Sequence, residues 1–266
     1  MKEKPTVSVI MSEYNTDEDT LEKSIQSVLD QSFTDFEFII IDDCGQTDVA
    51  QFVRRFADER IKVVKNPRNL GLAASLNHAV KVAQGQYLIR MDIDDLSLDG
   101  RFARLVDVIE QHPEYAVVSS RVLEVADGQE SGVLGTPGEK KTANVLAGDV
   151  PVHAAAIMNR QAILTVGGYP EIDRAEDFGL WCELLLQGYQ LYMIADILYV
   201  YNVNRADYQK RTLKYRRGEI AARRYYNRLL GGGWTGQLRI AKSLLAGILP
   251  GGVMQKYREL FVLKKK

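Results

Sequence analysis

The sequence predicts an α/β protein with a parallel sheet covered by helices on both faces. Over the first 125 residues, short apolar runs alternate with amphipathic stretches of helical period, which is typical of β-α-β units. The strands are almost entirely apolar, as expected where both faces of a sheet are buried. The predicted strands are 7–11, 36–41, 61–64 and 87–91, and the predicted helices are 19–29, 48–56, 70–82 and 98–110.

The pattern becomes less regular after residue 125, and the elements predicted there are correspondingly shorter. The predictions are strands at 116–125 and 154–158, a Gly-rich polar loop at 127–138, a helix at 177–186 ended by Gly188, one or two short strands in 191–201, and helices at 211–230, 235–249 and 253–263. Glycines 231–233 separate the predicted helix 211–230 from the predicted helix 235–249.

The charge distribution divides the chain near residue 204. Residues 205–266 hold 16 Lys or Arg against three acids, although the whole chain has a net charge of −1. We therefore predict a globular domain at 1–204, with halves at about 1–125 and 126–204, and a basic amphipathic helical tail at 205–266. Such a division indicates an acidic body that binds cations and a tail that approaches an anionic surface.

The composition is typical of a soluble globular protein, with 46% hydrophobic and 26% charged residues. Cys44 and Cys182 are too few for a disulfide scaffold and lack metal-site spacing, so we expect two reduced thiols. No apolar stretch approaches the roughly 20 residues that span a bilayer, and no signal-peptide core follows Met1. We expect a cytoplasmic protein.

Three polar clusters follow predicted strands at their carboxyl ends: residues 12–15 (Ser-Glu-Tyr-Asn), 42–43 (Asp-Asp) and 92–95 (Asp-Ile-Asp-Asp). Ligands of open parallel sheets bind beyond these ends, so we expect the clusters to share one rim. An acidic run alone is more typical of a solvated loop. Its place after a buried strand and beside a second acidic pair favours a diphosphate site, in which Mg²⁺ or Mn²⁺ bridges carboxylates and phosphates.

Several segments, in this order, resemble the family-two inverting glycosyltransferases of GT-A fold, of the kind that build bacterial polysaccharides and O-antigens. The segments are 7–15, 27–33, 36–43, 66–73, 85–95 and 175–181, and the resemblance covers roughly residues 6–201. It implies a GT-A catalytic domain at 1–204, with a nucleotide-sugar half followed by an acceptor half. It also implies metal-dependent transfer of a hexose or N-acetylhexosamine from a nucleoside-diphosphate sugar, with UDP favoured, to a glycan hydroxyl.

The same resemblance implies roles for the polar clusters. Ser12 and Tyr14 would line the base pocket, with the Tyr14 ring packed on the pyrimidine, and Asp43 would accept the imide N–H of uracil. Asp92 would face the ribose, and Asp94 would bind the metal.

Arg68 occupies a basic or polar position of the family and would contact base or phosphate. Two departures from the family pattern affect the shape of the base pocket. Ser12-Glu13 stands where Pro-Thr is common, and Cys44 replaces the usual Gly or Asn after the acidic pair.

Asp177 is the candidate general base. Spacing alone favours Glu176 and Asp177 as a first-turn pair stabilised by the helix dipole. The resemblance instead implies that Asp177 removes the proton of the acceptor hydroxyl, with Glu176 as the second candidate. His153 precedes an apolar run, where a hydrogen-bonded structural role is favoured, and acceptor contact or metal ligation remain alternatives.

The basic tail combines arginines and tyrosines with an apolar helical face. Such helices bind nucleic acid or an anionic bilayer, and packing on the domain or on a second subunit is a third option. We favour the inner face of the cell membrane, where a cytoplasmic donor would meet a lipid-linked glycan acceptor. The expected partners are therefore the nucleotide sugar, that acceptor and the anionic membrane, without nucleic acid, while homo-oligomerisation is left open.

Other classes fit the sequence less well. A nicotinamide dehydrogenase would share the alternating pattern, but no Gly-x-Gly-x-x-Gly follows the first strand. A sugar-phosphate nucleotidyltransferase would need a Gly-rich, Arg-bearing loop at that place. The remaining alternative is a non-catalytic glycosyltransferase-like scaffold or binding subunit, and the presence of both Asp94 and Asp177 disfavours it.

Overall fold

A computed structural model describes residues 4–172, 174–203 and 216–248, and within these residues ten strands form one mixed sheet. The strands are β1 (Val7–Glu13), β2 (Phe36–Asp42), β3 (Ile61–Lys65), β4 (Tyr87–Arg90), β5 (Leu96–Ser97), β6 (Tyr115–Ala126), β7 (Gln129–Leu134), β8 (Gly138–Glu139), β9 (Ala156–Asn159) and β10 (Gln190–Val203). The main order is β3-β2-β1-β4-β9-β6-β10-β5, while β7 pairs with β6 and β8 with β10.

Helices cover both faces of this sheet. They are α1 (Glu18–Leu29), α2 (Val49–Phe52), α3 (Leu72–Val82), α4 (Arg101–Gln111), α5 (Thr142–Ala147), α6 (Arg160–Thr165), α7 (Glu176–Leu186), α8 (Arg217–Leu229) and α9 (Gly233–Ile248). Short 3₁₀ turns lie at Val53–Phe56 and His153–Ala155. Two clusters of buried apolar side chains, one around α1 and α4 and one around α3 and α7, form the core.

The first half of the sheet is parallel. β3, β2, β1 and β4 run in the same direction, and every residue of β2 and β4 is buried. The intervening α1 has an apolar face of Leu21, Ile25 and Val28, each fully buried, and its N-terminus is capped by Asp17, whose side chain accepts the Thr20 N–H. These features place the carboxyl ends of three adjacent strands at one edge.

The second half joins the first through antiparallel pairs. β9 lies between β4 and β6 and is antiparallel to both, and β6 then pairs in parallel with the long β10. The predicted α/β class with helices on both faces is confirmed, and the sheet is parallel in its first half and mixed beyond β4.

Several elements differ from their predictions. The polar loop at 127–138 contains β7, because a turn with left-handed Asp127 and Gly128 lets this segment pair back on β6. The region 191–201 forms one continuous strand, held along its length by β6. The helix predicted from residue 98 begins at Arg101, since the preceding residues pair with β10 as β5.

The described part of the tail is a helical hairpin of α8 and α9, and its two helices are separated at the predicted glycines. α9 also packs on α5, and α8 contacts both α5 and α7. The remainder of the predicted tail, residues 204–215 and 249–266, lies outside the described residues. Among the helices that are described, none is long and apolar enough to cross a membrane.

Candidate active site

The carboxyl ends of three parallel strands form one polar edge. β1 lies between β2 and β4, the register pairs Glu13 with Asp42, and the Met91 N–H donates to the Ile10 carbonyl at 3.1 Å. The three polar clusters that follow these strands therefore leave the sheet side by side. This edge is where ligands of open parallel sheets bind.

The end of β1 presents an aromatic ring. Tyr14 is 51% exposed, and Ser12 is partly buried behind it. Asn15 adopts a left-handed backbone, and its Oδ1 accepts the Gln46 N–H at 2.9 Å, which fixes the turn. Glu13 points inward and is fully buried, so desolvation raises the pKa of its carboxyl. The exposed Tyr14 ring is a surface on which a planar ligand can stack.

Asp43 fixes the loop that follows β3. Its Oδ1 accepts from Asn66 Nδ2 at 2.7 Å and from the Leu70 N–H at 2.8 Å, and its Oδ2 accepts from the Gly71 N–H at 2.9 Å. A carboxylate has about four acceptor positions, so one remains at Oδ2. That loop carries Arg68, which is exposed. Asp43, which is 2% exposed, thus fixes the conformation of the loop.

The acidic run after β4 divides into three environments. Asp92 is partly buried and forms an ion pair through Oδ1 with the buried Arg90. Asp94 is exposed, and its carbonyl accepts from Asn202 Nδ2 at 2.7 Å. Asp95 is buried, and its Oδ1 accepts the Asn202 N–H at 2.8 Å. Burial, followed by the charges of Asp92 and Asp94, raises the pKa of Asp95 well above its usual range.

Two buried groups support the acidic run from below. The Tyr199 hydroxyl accepts the Asp92 N–H at 3.0 Å. Arg101 donates to the carbonyls of Arg90 at 2.7 Å and Ala154 at 2.8 Å, and its guanidinium lies 4.6 Å from the centre of the Tyr199 ring. Burial lowers the pKa of Arg101 to about 10, which still leaves it charged at neutral pH. The acidic run is therefore supported by buried side chains that include the positively charged Arg101.

Asp177 and Glu176 begin α7. The Asp177 Oδ1 accepts the Phe178 N–H at 2.6 Å, and burial raises the pKa of Asp177 against the lowering effects of that hydrogen bond and of Arg223. Burial, followed by the Asp177 charge, raises the pKa of Glu176 to about 7. Trp181, in the next turn, is fully buried and anchors the helix. The two carboxyls are therefore held together at the start of α7, and the pKa of each is raised by burial.

His153 is held in place by aromatic neighbours. Its Nε2 lies 2.9 Å from the Tyr169 hydroxyl, and the Trp181 ring packs edge-on with its centre 5.8 Å away. Burial, followed by the charge of Arg90, lowers the pKa of His153 well below its usual value. His153 is therefore neutral at physiological pH, and its Tyr169 contact fits the structural role favoured by the sequence.

Two cavities meet at Leu72 and Glu176, which line both. The central cavity, of about 630 Å³, brings together four predicted site residues: Asp92, His153, Glu176 and Asp177. The side cavity, of about 650 Å³, contains Arg68 with Arg174 and Glu171. Ser12, Tyr14 and Asp43 lie along the strand edge, and Asp94 lies at its exposed end; these four line neither cavity.

The helical hairpin contributes a charge beside the candidate base. Arg223 on α8 is buried, and its guanidinium lies 4.4 Å from the centre of the Phe178 ring. Its Nε donates to Glu219 at 2.9 Å, and Glu219 also accepts the Ser243 hydroxyl of α9 at 3.1 Å. Hydrogen bonds thus connect α9 to Arg223 on α8, and the guanidinium of Arg223 packs on the ring of the residue after Asp177.

This contact predicts a pH effect. Arg223 lowers the pKa of Asp177, so Arg223→Met should raise that pKa. As the pH falls, the Asp177 carboxylate would then become protonated at a higher pH than in the wild type, and a protonated carboxyl cannot act as the base. We expect the acid limb of the pH–rate profile to move to higher pH, with Arg223→Lys restoring it. Arg224→Met, which changes an exposed neighbour, is the matched control; an acid limb that does not move in Arg223→Met would contradict the contact's electrostatic role.

Sequence reasoning missed several residues of this region. Arg90 stands two positions before Asp92, and that spacing was a usable signal for an ion pair. Asp149 lines the central cavity and is held by Lys140, whose Nζ donates to it at 2.7 Å from an almost fully buried position. Nothing local in the sequence marks Arg223 or Asp149, because each acquires its place through contacts between distant segments.

Comparison with known proteins identifies the class to which this fold and site belong. The model for Glycosyl transferase family 2 matches residues 8–163, and the chain therefore belongs to that family. The protein EpsE of Bacillus subtilis (strain 168) is 31% identical over 272 residues, covering 100% of this chain and 98% of EpsE. The Escherichia coli UDP-Glc:alpha-D-GlcNAc-diphosphoundecaprenol beta-1,3-glucosyltransferase WfaP is 29% identical, covering 68% of this chain and 71% of WfaP.

Solved structures show the same fold at low sequence identity. The mannosyltransferase PcManGT from Pyrobaculum calidifontis, in complex with GDP-Man and Mn²⁺, matches with a TM-score of 0.68 and 19% identity, covering 96% of this chain and 79% of that one. TarS of S. aureus, residues 1–349 in complex with UDP-GlcNAc, matches with a TM-score of 0.65 and 19% identity, covering 90% and 71%. The expected GT-A fold is thereby confirmed.

Proposed function

We propose that this glycosyltransferase is a metal-dependent inverting enzyme that moves a hexose or N-acetylhexosamine from a nucleoside-diphosphate sugar to a hydroxyl of a lipid-linked glycan, in cell-surface polysaccharide synthesis. The observation that carries the proposal is the central cavity, where Asp92 from the strand edge and Asp177 from α7 face the same space. A donor bound along the edge would present its sugar to a base on the acceptor side.

Asp177 is the group we assign to proton removal. In an inverting transfer the acceptor oxygen attacks the anomeric carbon opposite the leaving group, its proton passes to a carboxylate, and the bond to the diphosphate breaks. Burial gives Asp177 a higher proton affinity than a surface aspartate, and Arg223 keeps that increase limited. Glu176, whose pKa is raised to about 7, is the competing base and is protonated in a large fraction of molecules at neutral pH.

The acidic run is the proposed metal site. The Asp95 Oδ2 is buried and has no hydrogen-bond partner among the described residues, and Asp92 and Asp94 add negative charge beside it, so a cation fits there. No group of three or more His, Cys, Asp or Glu that could hold a metal occurs in the described residues. In the proposed site, Mn²⁺ or Mg²⁺ would be held by Asp94 together with phosphate and water oxygens. When bound, the ion would act as a Lewis acid on the departing diphosphate.

The donor-binding residues are assigned along the strand edge. Tyr14 would stack on the base with Ser12 beside it, and Asp43 would accept the imide N–H of uracil through its remaining acceptor position. Arg90 would hold Asp92 toward the ribose, and Arg68 would reach the base or phosphate from the side cavity. UDP is favoured by the role proposed for Asp43, and the relative WfaP, by its name, uses UDP-Glc.

The proposed acceptor is a lipid-linked glycan, and this proposal is supported by the substrate of a relative. WfaP, by its name, uses a diphosphoundecaprenol-linked sugar, which supports a lipid-linked acceptor here. Such an acceptor is embedded in the cytoplasmic leaflet, so we place the protein in the cytoplasm, peripheral on the inner face of the cell membrane. His153 and Glu176 line the central cavity and would lie beside this acceptor.

A panel of nucleoside-diphosphate sugars tests this function. Each sugar is supplied with Mn²⁺ or Mg²⁺ and a prenyl-diphosphate monosaccharide, and nucleotide release and product mass are measured. We expect one UDP-sugar to be transferred, with release faster in the presence of acceptor and abolished by chelation. Binding of a donor without turnover throughout the panel, acceptor included, would instead support the non-catalytic scaffold.

A further inference from the structure

The helical hairpin turns its large apolar side chains outward. The four most exposed large hydrophobic residues of the described chain all lie on it: Tyr225 at 58%, Trp234 at 85%, Leu238 at 68% and Leu245 at 64%. Leu229, which is 48% exposed, is the last residue of α8. Scattered exposed apolar residues are common on protein surfaces, but this concentration on one hairpin indicates an interaction surface.

The hairpin also has a buried side, which packs against the rest of the protein. This side is well packed, since Ile220, Tyr226 and Ile240 are at most 6% exposed. The Tyr226 hydroxyl donates to Glu183 of α7 at 2.8 Å, which fixes α8 against the catalytic domain. The two helices are therefore anchored by one face and carry a second apolar face that the domain leaves uncovered.

The charge of this outer face has one sign. Residues 216–248 hold seven Lys or Arg and a single acid, Glu219. Glu219 is turned inward, where it pairs with Arg216 at 3.2 Å and Arg223 at 2.9 Å. Arg224 and Arg228, one turn apart on α8, are exposed. The outer face thus presents arginine and large apolar side chains without any carboxylate.

We propose that this face, defined by Tyr225, Leu229, Trp234, Leu238 and Leu245 with Arg224 and Arg228, lies in the interface of an anionic phospholipid bilayer. Trp and Tyr favour the depth of the headgroups, leucine side chains enter the acyl region, and arginines pair with anionic lipid. The positive charge argues for this occupant over a second copy of the chain, whose identical hairpin would repel it. The proposal rests on the proposed function, in which the acceptor is lipid-linked.

Attachment through this face would fix where the central cavity lies relative to the membrane. The residues that anchor the hairpin include Arg223, which contacts the ring beside Asp177, so side-chain packing joins the bilayer-facing helices to the proposed base. A protein held in this way keeps its central cavity at a constant distance from the leaflet that contains the acceptor.

Tryptophan fluorescence gives a direct test, because the chain has two tryptophans and Trp181 is fully buried. Vesicles of phosphatidylcholine with phosphatidylglycerol should shift the emission of the intact protein to shorter wavelength, and vesicles of phosphatidylcholine alone should shift it much less. Trp234→Phe should abolish the shift while vesicle cosedimentation persists. Emission that stays unchanged with anionic vesicles would overturn the proposal.

Cosedimentation with vesicles measures separately how much the apolar side chains and the arginines of this face contribute to binding. Trp234→Gln with Leu238→Gln should weaken vesicle partitioning by about a hundredfold. Arg224→Gln with Arg228→Gln should weaken it by about thirtyfold on anionic vesicles. The matched control, Leu164→Gln with Leu186→Gln, changes two exposed leucines elsewhere and should bind like the wild type.

Two further outcomes separate this proposal from the proposed function. Sugar transfer to a soluble acceptor analogue should be unaffected by the Trp234 and Leu238 changes; transfer without vesicle binding by the wild type overturns only the membrane proposal. Vesicle binding without any transfer overturns only the proposed function. A concentration-dependent dimer that these two changes abolish, with no vesicle binding, would assign the face to a second copy and overturn the bilayer proposal.

Discussion

Asp177→Asn should reduce sugar transfer by about a thousandfold, because the amide cannot accept the proton of the acceptor hydroxyl. The substitution keeps the size of the side chain and its Oδ1, which can still accept the Phe178 N–H. Nucleotide affinity should therefore stay near the wild-type value, since the strand edge is untouched. Single-turnover transfer rates and equilibrium binding of the donor distinguish the two effects.

Glu176→Gln is the matched control for that experiment. Glu176 adjoins Asp177, lines the same cavity and has a pKa raised to about 7, so it is the nearest rival for the role of base. We expect a loss of less than about tenfold, because general-base catalysis by Asp177 would be preserved. A larger loss from Glu176→Gln than from Asp177→Asn would exchange the two assignments.

Asp94→Ala should also reduce transfer by about a thousandfold, through loss of the metal that neutralises the departing diphosphate. The distinguishing readout is binding: UDP should bind the wild type more tightly with Mn²⁺ than without it, and this difference should vanish in the variant. Calorimetric titration of UDP with and without Mn²⁺ measures it directly.

Asp99→Ala serves as the matched control for Asp94. It removes one exposed carboxylate five residues farther along the same segment, so the change in net charge is identical. We expect its Mn²⁺-dependent binding and its transfer rate to remain within about twofold of the wild type, as is usual for a surface substitution away from a site. A similar loss in both variants would indicate a general electrostatic effect and contradict a metal site at Asp94.

Much of the first half of the fold could be predicted from the sequence. The apolar runs of β1, β2 and β4 are short and uninterrupted because both faces of each strand are buried, and that burial is a local sequence signal. Placing polar clusters at the ends of these strands then follows from the topology of parallel sheets. For this reason the sequence alone places Tyr14, Asp43, Asp92 and Asp94 at one edge.

The second half could be predicted less well, because its elements depend on pairing between distant segments. β10 forms as one strand of 14 residues along β6, with irregular register between Met193 and Tyr199, and the sequence there suggests shorter pieces. Helices α5 and α6 have only six residues each and no clear amphipathic period. α5 is positioned by its packing on α7, α8 and α9, and α6 by its packing on β9, α3 and α7.

In the candidate site, too, contacts between distant segments could not be predicted from the sequence. Asp43 fixes a loop some 25 residues away through three hydrogen bonds, and Arg223 reaches the ring of Phe178 from a separate helix. Neither contact leaves a periodic or compositional trace. Sequence reasoning predicted the candidate ligand-binding groups, and the structure added the side chains that contact them.

The anomeric configuration of the product tests the central claim most directly. The wild type is given the UDP-sugar that the panel identifies, in its α-linked form, together with a defined acceptor, and the new linkage is assigned by proton NMR. Direct in-line attack assisted by Asp177 predicts a β-linked product. An α-linked product would mean that the configuration is retained, and would contradict the assignment of Asp177 as the base of an inverting transfer.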